Sequence, residues 1–345
     1  MSKISTDSMT TPTTGAATLP KVNSVAPSVA IVIVVWNGKA DTLECLESLR
    51  HDTYPNRDII VVDNGSTDGS SDEIARAFPD AIILKTGQNL GFTGGNNVGI
   101  QHAIKIGADY VYLLNNDTTV EPDALEALVA AAESQPSAGL LAPIIFEYYP
   151  PRPIWFAGSK MDLQRGAAWH DNSHVPEPTE APYELPWATG CAMLIRTRLM
   201  QELGGFDDRY YLSSEDVDLC VRVRKSGLRV LAVPAARIYH KGGRSGLRMS
   251  GIHFYYTVRN TLLLLRKHSG LAYFRSGPAL VVTYLWRSVR ARPEAGLRLE
   301  CIRSVLHAVV DHLSQRYGPY HSASVRSHET PVASITHSEY RTKTL

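Results

Sequence analysis

Tyr110-Val-Tyr-Leu-Leu-Asn-Asn-Asp-Thr-Thr-Val120 is an apolar run that ends abruptly in two amides and a carboxylate, Asn115, Asn116 and Asp117. The run predicts a buried parallel strand, because β-branched and aromatic residues follow one another without a polar break. In open α/β sheets ligands bind just outside the carboxyl ends of such strands. Asp117 is therefore expected at a cleft mouth, where a hard oxygen ligand can hold Mg²⁺ or Mn²⁺ against substrate phosphates. A plain strand-ending turn also accounts for Asn and Asp at this place.

Upstream, the same pattern repeats. Val29 to Val35 is a continuous apolar strand that stops at Trp36-Asn37-Gly38. Asp41 to Arg50 carries Leu43, Leu46 and Leu49 at helical spacing. Asp58 to Val62 is a second strand ending in Asp63-Asn64. Ser70 or Ser71 caps a helix running to Phe78, and Ala81 to Leu84 is a third strand. Gly91 to Gly107 starts glycine-rich and becomes helical, and Glu121-Pro122 opens another helix. Strand and helix alternating in this way predict a doubly wound, mostly parallel α/β sheet. Three strand-end turns, at Trp36-Asn37, Asp63-Asn64 and Asn115 to Asp117, then fall on one edge and form the default binding cleft. Gly91-Phe-Thr-Gly94-Gly95 does not fit the dinucleotide fingerprint, and no Walker loop is present. Asp63 can accept hydrogen bonds from a base or ribose, or from its own turn backbone.

Downstream, Phe146 to Pro186 loses periodicity and holds many prolines and aromatics. The aromatics favour an ordered insertion facing a substrate, with Trp155, Trp169 and Trp187 stacking on sugar rings or packing over the sheet. Ala188 to Ile195 returns to strand. Ser213 with Asp216 reads as a capping box, which explains acidic residues at a helix start. A general base presented from that helix start explains Glu215 and Asp216 equally well. Leu228 to Val233 is a further strand. His240 follows, before a Gly-Gly turn flanked by Lys241 and Arg244, where amides and cations can meet a diphosphate. Ile252 to Lys267 and Leu271 to Arg292 are basic, aromatic and amphipathic. They suit a peripheral membrane contact, or packing on the domain or on a second copy in a homo-oligomer.

The chain has 345 residues, 44% hydrophobic and 20% charged, as in a globular protein. Lys+Arg of 35 against Asp+Glu of 34 gives a net charge of +1, so nothing points to nucleic acid. Four scattered cysteines without finger spacing suit a reduced, cytoplasmic setting. No run reaches the ~18 apolar residues of a membrane span. Residues 1–27 and 317–345 have the composition of disordered tails.

Taken as an ordered set, these motifs resemble the family 2 glycosyltransferases of GT-A fold, especially the bacterial rhamnosyltransferase-like branch. The matching stretches are Val32-Ile-Val-Val-Trp-Asn37, Asp63-Asn-Gly-Ser-Thr-Asp68, Asn89-Leu-Gly-Phe-Thr-Gly-Gly-Asn-Asn97, Leu114-Asn-Asn-Asp117, Gly204-Gly-Phe-Asp207, Glu215-Asp216-Val-Asp218, His240-Lys-Gly-Gly243 and Arg259-Asn260. The likeness covers residues 28–267, a donor half at 28–145 and an acceptor half at 146–267, with a helical extension at 268–316 outside it.

The resemblance implies a dTDP- or UDP-sugar donor and a glycan or lipid-linked acceptor. It places Val34, Trp36 and Asp63 at the nucleobase and Asn116 near the ribose. Asn37, Asn97, Asn115, Lys241 and Arg244 join the donor side, and Trp187, Gly190 and Glu215 the acceptor side. Asp117 is the metal carboxylate. Asn115 stands where a strict Asp-x-Asp has its first aspartate, and the resemblance implies that His240 fills the family role of second ligand. Asp216 matches the catalytic base of an inverting transfer. A nucleotidyltransferase shares a similar sheet but needs a basic glycine-rich loop early in the chain, of which Trp36-Asn37-Gly38-Lys39 is a poor version. A non-enzymatic carbohydrate-binding protein at a membrane surface is the remaining reading.

Overall fold

The computed structural model describes residues 26–242, 251–290 and 295–320. Arg244 and most of both terminal tails lie outside these. The first half alternates as the sequence predicts: β1 (Val29–Val35), α1 (Lys39–Arg50), β2 (Arg57–Asp63), α2 (Ser70–Ala77), β3 (Ile82–Lys85), α3 (Gly91–Ile106) and β4 (Tyr110–Asn115). Next come β5 (Thr118–Val120), α4 (Ala124–Ser134), β6 (Ala138–Glu147), and the short strands β7 (Ile154–Phe156), β8 (Ser159–Asp162), β9 (Ala167–His170) and β10 (Tyr183–Glu184). The chain closes with β11 (Ala192–Arg196), α5 (Thr197–Leu203), α6 (Glu215–Lys225), β12 (Arg229–His240), α7 (Gly251–His268), α8 (Ala272–Arg290) and α9 (Ala295–Leu313).

The main sheet runs β10-β12-β6-β11-β4-β1-β2-β3. Its β4-β1-β2-β3 half is wholly parallel, so the carboxyl ends of β1, β2 and β4 share one edge. The other half is mixed, because β11 lies antiparallel between β4 and β6. Strands β1 and β4 are buried almost throughout, since helices cover both faces. Helix α3 lies close on β1: a Cβ at Gly99 would stand 2.2 Å from Val32 Cγ1, and one at Gly95 2.8 Å from Val34. Those glycines hold the amino end of α3 against the strand that leads into the cleft.

Strand β12 decides what meets Asp117. Its register shifts between Val233 and Arg237, across Pro234, which has no N–H to donate to a ladder. Beyond that irregularity it pairs antiparallel with β5, His240 opposite Thr118. The Lys241 N–H then donates to the Asp117 carbonyl at 2.9 Å. A residue more than a hundred positions away is thus placed beside the carboxylate.

Two expected helix caps are replaced. Helix α2 begins after Gly69, in the left-handed region, and Asp68 rather than a serine accepts the Ser70 N–H at 3.0 Å. Helix α6 begins after Ser214, and no side-chain capping bond forms there.

Candidate active site

The cleft opens at the carboxyl ends of β1, β2 and β4. Val34, Trp36 and Asn37 line one side, Leu114 to Asp117 the floor, and Tyr211, Leu212 and Lys241 the far wall. Its loops are tied to each other by amides. Asn37, at φ 52°, accepts the Thr67 N–H at 2.7 Å and donates its own N–H to Ser66 Oγ at 3.1 Å. Asn116 donates to Thr42 Oγ1 at 3.0 Å. Asn64 accepts the Leu90 N–H and donates to the Gly91 carbonyl, both at 3.0 Å, joining the β2 turn to the start of α3.

Two expected donor residues are not on the cleft wall. Asp63 turns into its own loop and accepts the Ser66 N–H at 2.8 Å, as an Asx-type turn does. Asn97 is spent on Phe206, accepting its N–H and donating to its carbonyl, both at 2.9 Å. Asn64 and Asn96 line the cleft in their place. One residue along a helix is a rotation of about 100°, which is enough to turn Asn97 away while Asn96 faces in.

Asp117 lies on the cleft wall, and His240 sits behind it with its ring wholly buried, edge-on to Trp155 at 4.7 Å. His240 Nε2 stands 3.1 Å from Asp117 Oδ1. Burial works against charging this imidazole, but the charge of Asp117 outweighs it and pushes His240 well above its usual range. The pair also fits a divalent cation: adjacent vertices of an octahedron with ~2.1 Å bonds are about 3 Å apart. Among the described residues no group of three or more His, Cys, Asp or Glu side chains is gathered for a metal. An ion held here would take its other ligands from phosphate and water, the usual habit of Mg²⁺.

Lys241 lines the cleft but is already paired, with Asp41 at 2.5 Å and Glu44 at 2.6 Å. Burial alone would lower it, yet these carboxylates raise it, so it stays charged. To meet a diphosphate it would have to exchange partners.

On the acceptor side, Asp216 at the start of α6 accepts the Gly190 N–H at 3.1 Å and the Val217 N–H at 2.8 Å. These bonds replace the expected capping box and fix the carboxylate. Gly190 lies between Asp216 and Phe92 of the cleft wall: a Cβ there would stand 3.1 Å from the Phe92 ring and 3.6 Å from Asp216 Cβ. Glu215 is buried, and its Oε2 has no hydrogen-bond partner among the described residues. Burial first, then repulsion from Asp216 and Asp218, pushes Glu215 well above the usual carboxylate range. Trp187 does not offer a stacking face. It is 1% exposed, packs on Phe156, and donates its indole N–H to the Lys160 carbonyl at 3.0 Å.

The turn leading into α6 is strained. Tyr211, Ser213 and Ser214 all have positive φ, at 62°, 76° and 69°, a conformation costing non-glycine residues about 1 kcal/mol or more each. Its carbonyls are held from α7. Asn260 Nδ2 approaches those of Tyr210, Leu212 and Ser213 at 3.0, 2.6 and 2.8 Å. Arg259, wholly buried, donates to Arg209 and Tyr210 carbonyls. Of the expectations for α7, packing on the domain is the one seen, and its Arg259 is a buried clamp. Asn260→Leu is expected to lower stability by about 2–3 kcal/mol, because it orphans buried carbonyls. A urea melt checks this, and an unchanged midpoint would refute the clamp.

The family model described as Glycosyl transferase family 2 matches residues 30–204. The chain is 30% identical, over 263 residues, to the N-acetylglucosaminyl-diphospho-decaprenol L-rhamnosyltransferase of Mycobacterium tuberculosis, covering 70% of this chain and 85% of that one. It is 23% identical to the dTDP-rhamnosyl transferase RfbF of Shigella flexneri, over 69% of this chain and 79% of the relative. Among solved structures, GalNAc-T7 with UDP, GalNAc and Mn²⁺ superposes with a TM-score of 0.61 at 15% identity, over 85% of this chain. The chain spans 58% of that structure's length. The mannosyltransferase PcManGT of Pyrobaculum calidifontis, with GDP-Man and Mn²⁺, gives 0.52 at 14% identity, over 85% and 89% of the two chains. At such identities the likeness is one of fold.

Proposed function

The chain belongs to glycosyl transferase family 2 and is a glycosyltransferase, and from that premise we propose that it transfers rhamnose from a dTDP- or UDP-linked donor to a hydroxyl of a glycan or lipid-linked acceptor, inverting the anomeric centre, in cell-surface polysaccharide synthesis. Family membership sets aside the nucleotidyltransferase and non-enzymatic readings. The observation that carries the proposal is the 3.1 Å approach of His240 to Asp117 at the edge where β1, β2 and β4 end.

Val34 and Trp36 supply an apolar wall for the nucleobase, and Asn116 lies where a ribose would rest between them and Asp117. Asp117 and His240 would hold Mg²⁺ or Mn²⁺, which when bound offsets charge on the departing nucleoside diphosphate. Asp216 takes the proton of the acceptor hydroxyl, which attacks the anomeric carbon from the face opposite the leaving group. Its two backbone N–H bonds keep the carboxylate from reorienting during that transfer.

Calorimetry with dTDP-, UDP- and GDP-sugars, with and without Mn²⁺, tests this. A dTDP- or UDP-sugar is expected to bind in a Mn²⁺-dependent way. Asp117→Ala removes that dependence and abolishes transfer. His240→Ala weakens Mn²⁺-dependent binding by roughly tenfold or more. Donor binding indifferent to chelator and to both substitutions would sink the metal assignment.

A further inference from the structure

Helices α8 and α9 carry large apolar residues on their outward faces as well as on the faces they pack against the domain. Leu271, Phe274, Val282, Trp286 and Val289 recur at helical spacing and are between 52% and 87% exposed. The positions that α8 buries are Ser276, Gly277, Tyr284 and Ser288. Helix α9 likewise exposes Leu299, Leu306, Val310 and Leu313, while Cys301, Ser304, Val305 and Ala308 are buried. A helix packed on a globular domain keeps its outward face polar. An apolar face left outward marks something that covers it.

We propose that α8 and α9 form a docking face for an anionic lipid surface. Charge argues for that occupant. Helix α8 carries Arg275, Arg287 and Arg290 and no acidic residue. Arg290 lies over the Trp286 ring at 4.7 Å, which places a cation beside an amphipathic indole, as at a headgroup boundary. The acids of α9 are engaged: Asp311 accepts from the Tyr255 hydroxyl at 2.7 Å and from Arg316 at 2.9 Å, and Glu300 accepts the Gly251 N–H at 3.2 Å. A second copy meeting this face with α8 on the twofold axis would set α8 arginines against α8 arginines. No helix among the described residues is long and apolar enough to cross a membrane, so the helices would lie on the surface. Helix α7 packs on both and carries the Arg259–Asn260 clamp, so docking would hold the strained turn and Asp216 close to the bilayer. The inference stands on this surface alone and survives any outcome for the sugar chemistry.

The test is flotation of the full chain with vesicles of phosphatidylglycerol and phosphatidylcholine, and of phosphatidylcholine alone. Comigration with the anionic vesicles is expected, weakened by added salt. Combined Phe274→Ser, Trp286→Ser and Val289→Ser, which alter only outward side chains, should reduce it roughly tenfold or more while transfer to a soluble acceptor persists. Arg275→Gln with Arg290→Gln should remove the preference for anionic lipid. No comigration, or a triple variant that floats like the parent, overturns the proposal. A dimer in solution that the triple variant dissociates, with no vesicle binding, overturns it in favour of a second copy.

Discussion

Asp216→Asn is expected to lower the transfer rate by roughly a thousandfold while leaving nucleotide-sugar affinity unchanged. Loss of a positioned general base typically costs 10²–10⁴-fold. The substitution is nearly isosteric, and an amide oxygen can still accept one of the two backbone N–H bonds that Asp216 now receives from Gly190 and Val217. The start of α6 therefore keeps its shape and the donor cleft is untouched. Single-turnover transfer and donor calorimetry separate the two effects. Glu215→Gln is the informative companion. Glu215 is pushed well above the usual carboxylate range by burial and by Asp216, a shift toward the neutral acid, which an amide mimics. That variant should lose less than about tenfold. If Glu215→Gln abolished turnover and Asp216→Asn retained it, the base would be Glu215.

The second large effect is on stability. Asp218 is wholly buried on α6, where its carboxylate receives Lys267 at 2.5 Å, Arg222 and His268 at 2.8 Å and the Tyr210 hydroxyl at 3.1 Å. Asp218→Ala strands Lys267 and Arg222, and breaking a buried charge network from one side costs about 3–5 kcal/mol. A fall of that size in the urea unfolding free energy is expected, and a loss below about 1 kcal/mol would place the network's energy elsewhere. The same cluster sets the acid limit. Burial would raise Asp218, but the hydrogen bond from His268 and the charges of Lys267 and Arg222 hold it well below the usual range. Asp207 is lowered to about 2: burial opposes this, and the bonds from Arg209 and Lys267 outweigh it. A depressed folded value means stabilisation that is complete above the unfolded carboxylate value of about 4 and is lost as pH falls below it. Parent protein should therefore weaken below about pH 4, and Asp218→Asn should flatten that limb of the profile.

Much of the donor side was legible in the residues. An uninterrupted apolar run followed by a polar turn has few other uses in a soluble chain, and β1 spans the predicted Val29–Val35. The stretch Tyr110 to Val120 likewise became β4, the Asn115–Asp117 turn and β5. Three such runs in alternation with helices place their ends on one edge, which is why the cleft could be located. Strand β6 escaped notice: Ala138 to Ile145 is buried at every position, and a run so short shows no period to distinguish strand from helix.

The sequence by itself determined the sheet's parallel half, the cleft at its carboxyl edge and Asp117 within it, because hydrophobic continuity and turn chemistry are local properties. Only the tertiary structure decided which neighbours those residues meet. It set β11 antiparallel, brought His240 to Asp117 through strand register, and rotated Asn96 rather than Asn97 into the cleft. It also buried Arg259, a residue type that composition alone would leave at a surface, packed Trp187 away from the cleft, and left Trp286 exposed. Residue type states what a side chain can bond to. Register, helical phase and packing, which depend on contacts far apart in the chain, state what it does bond to.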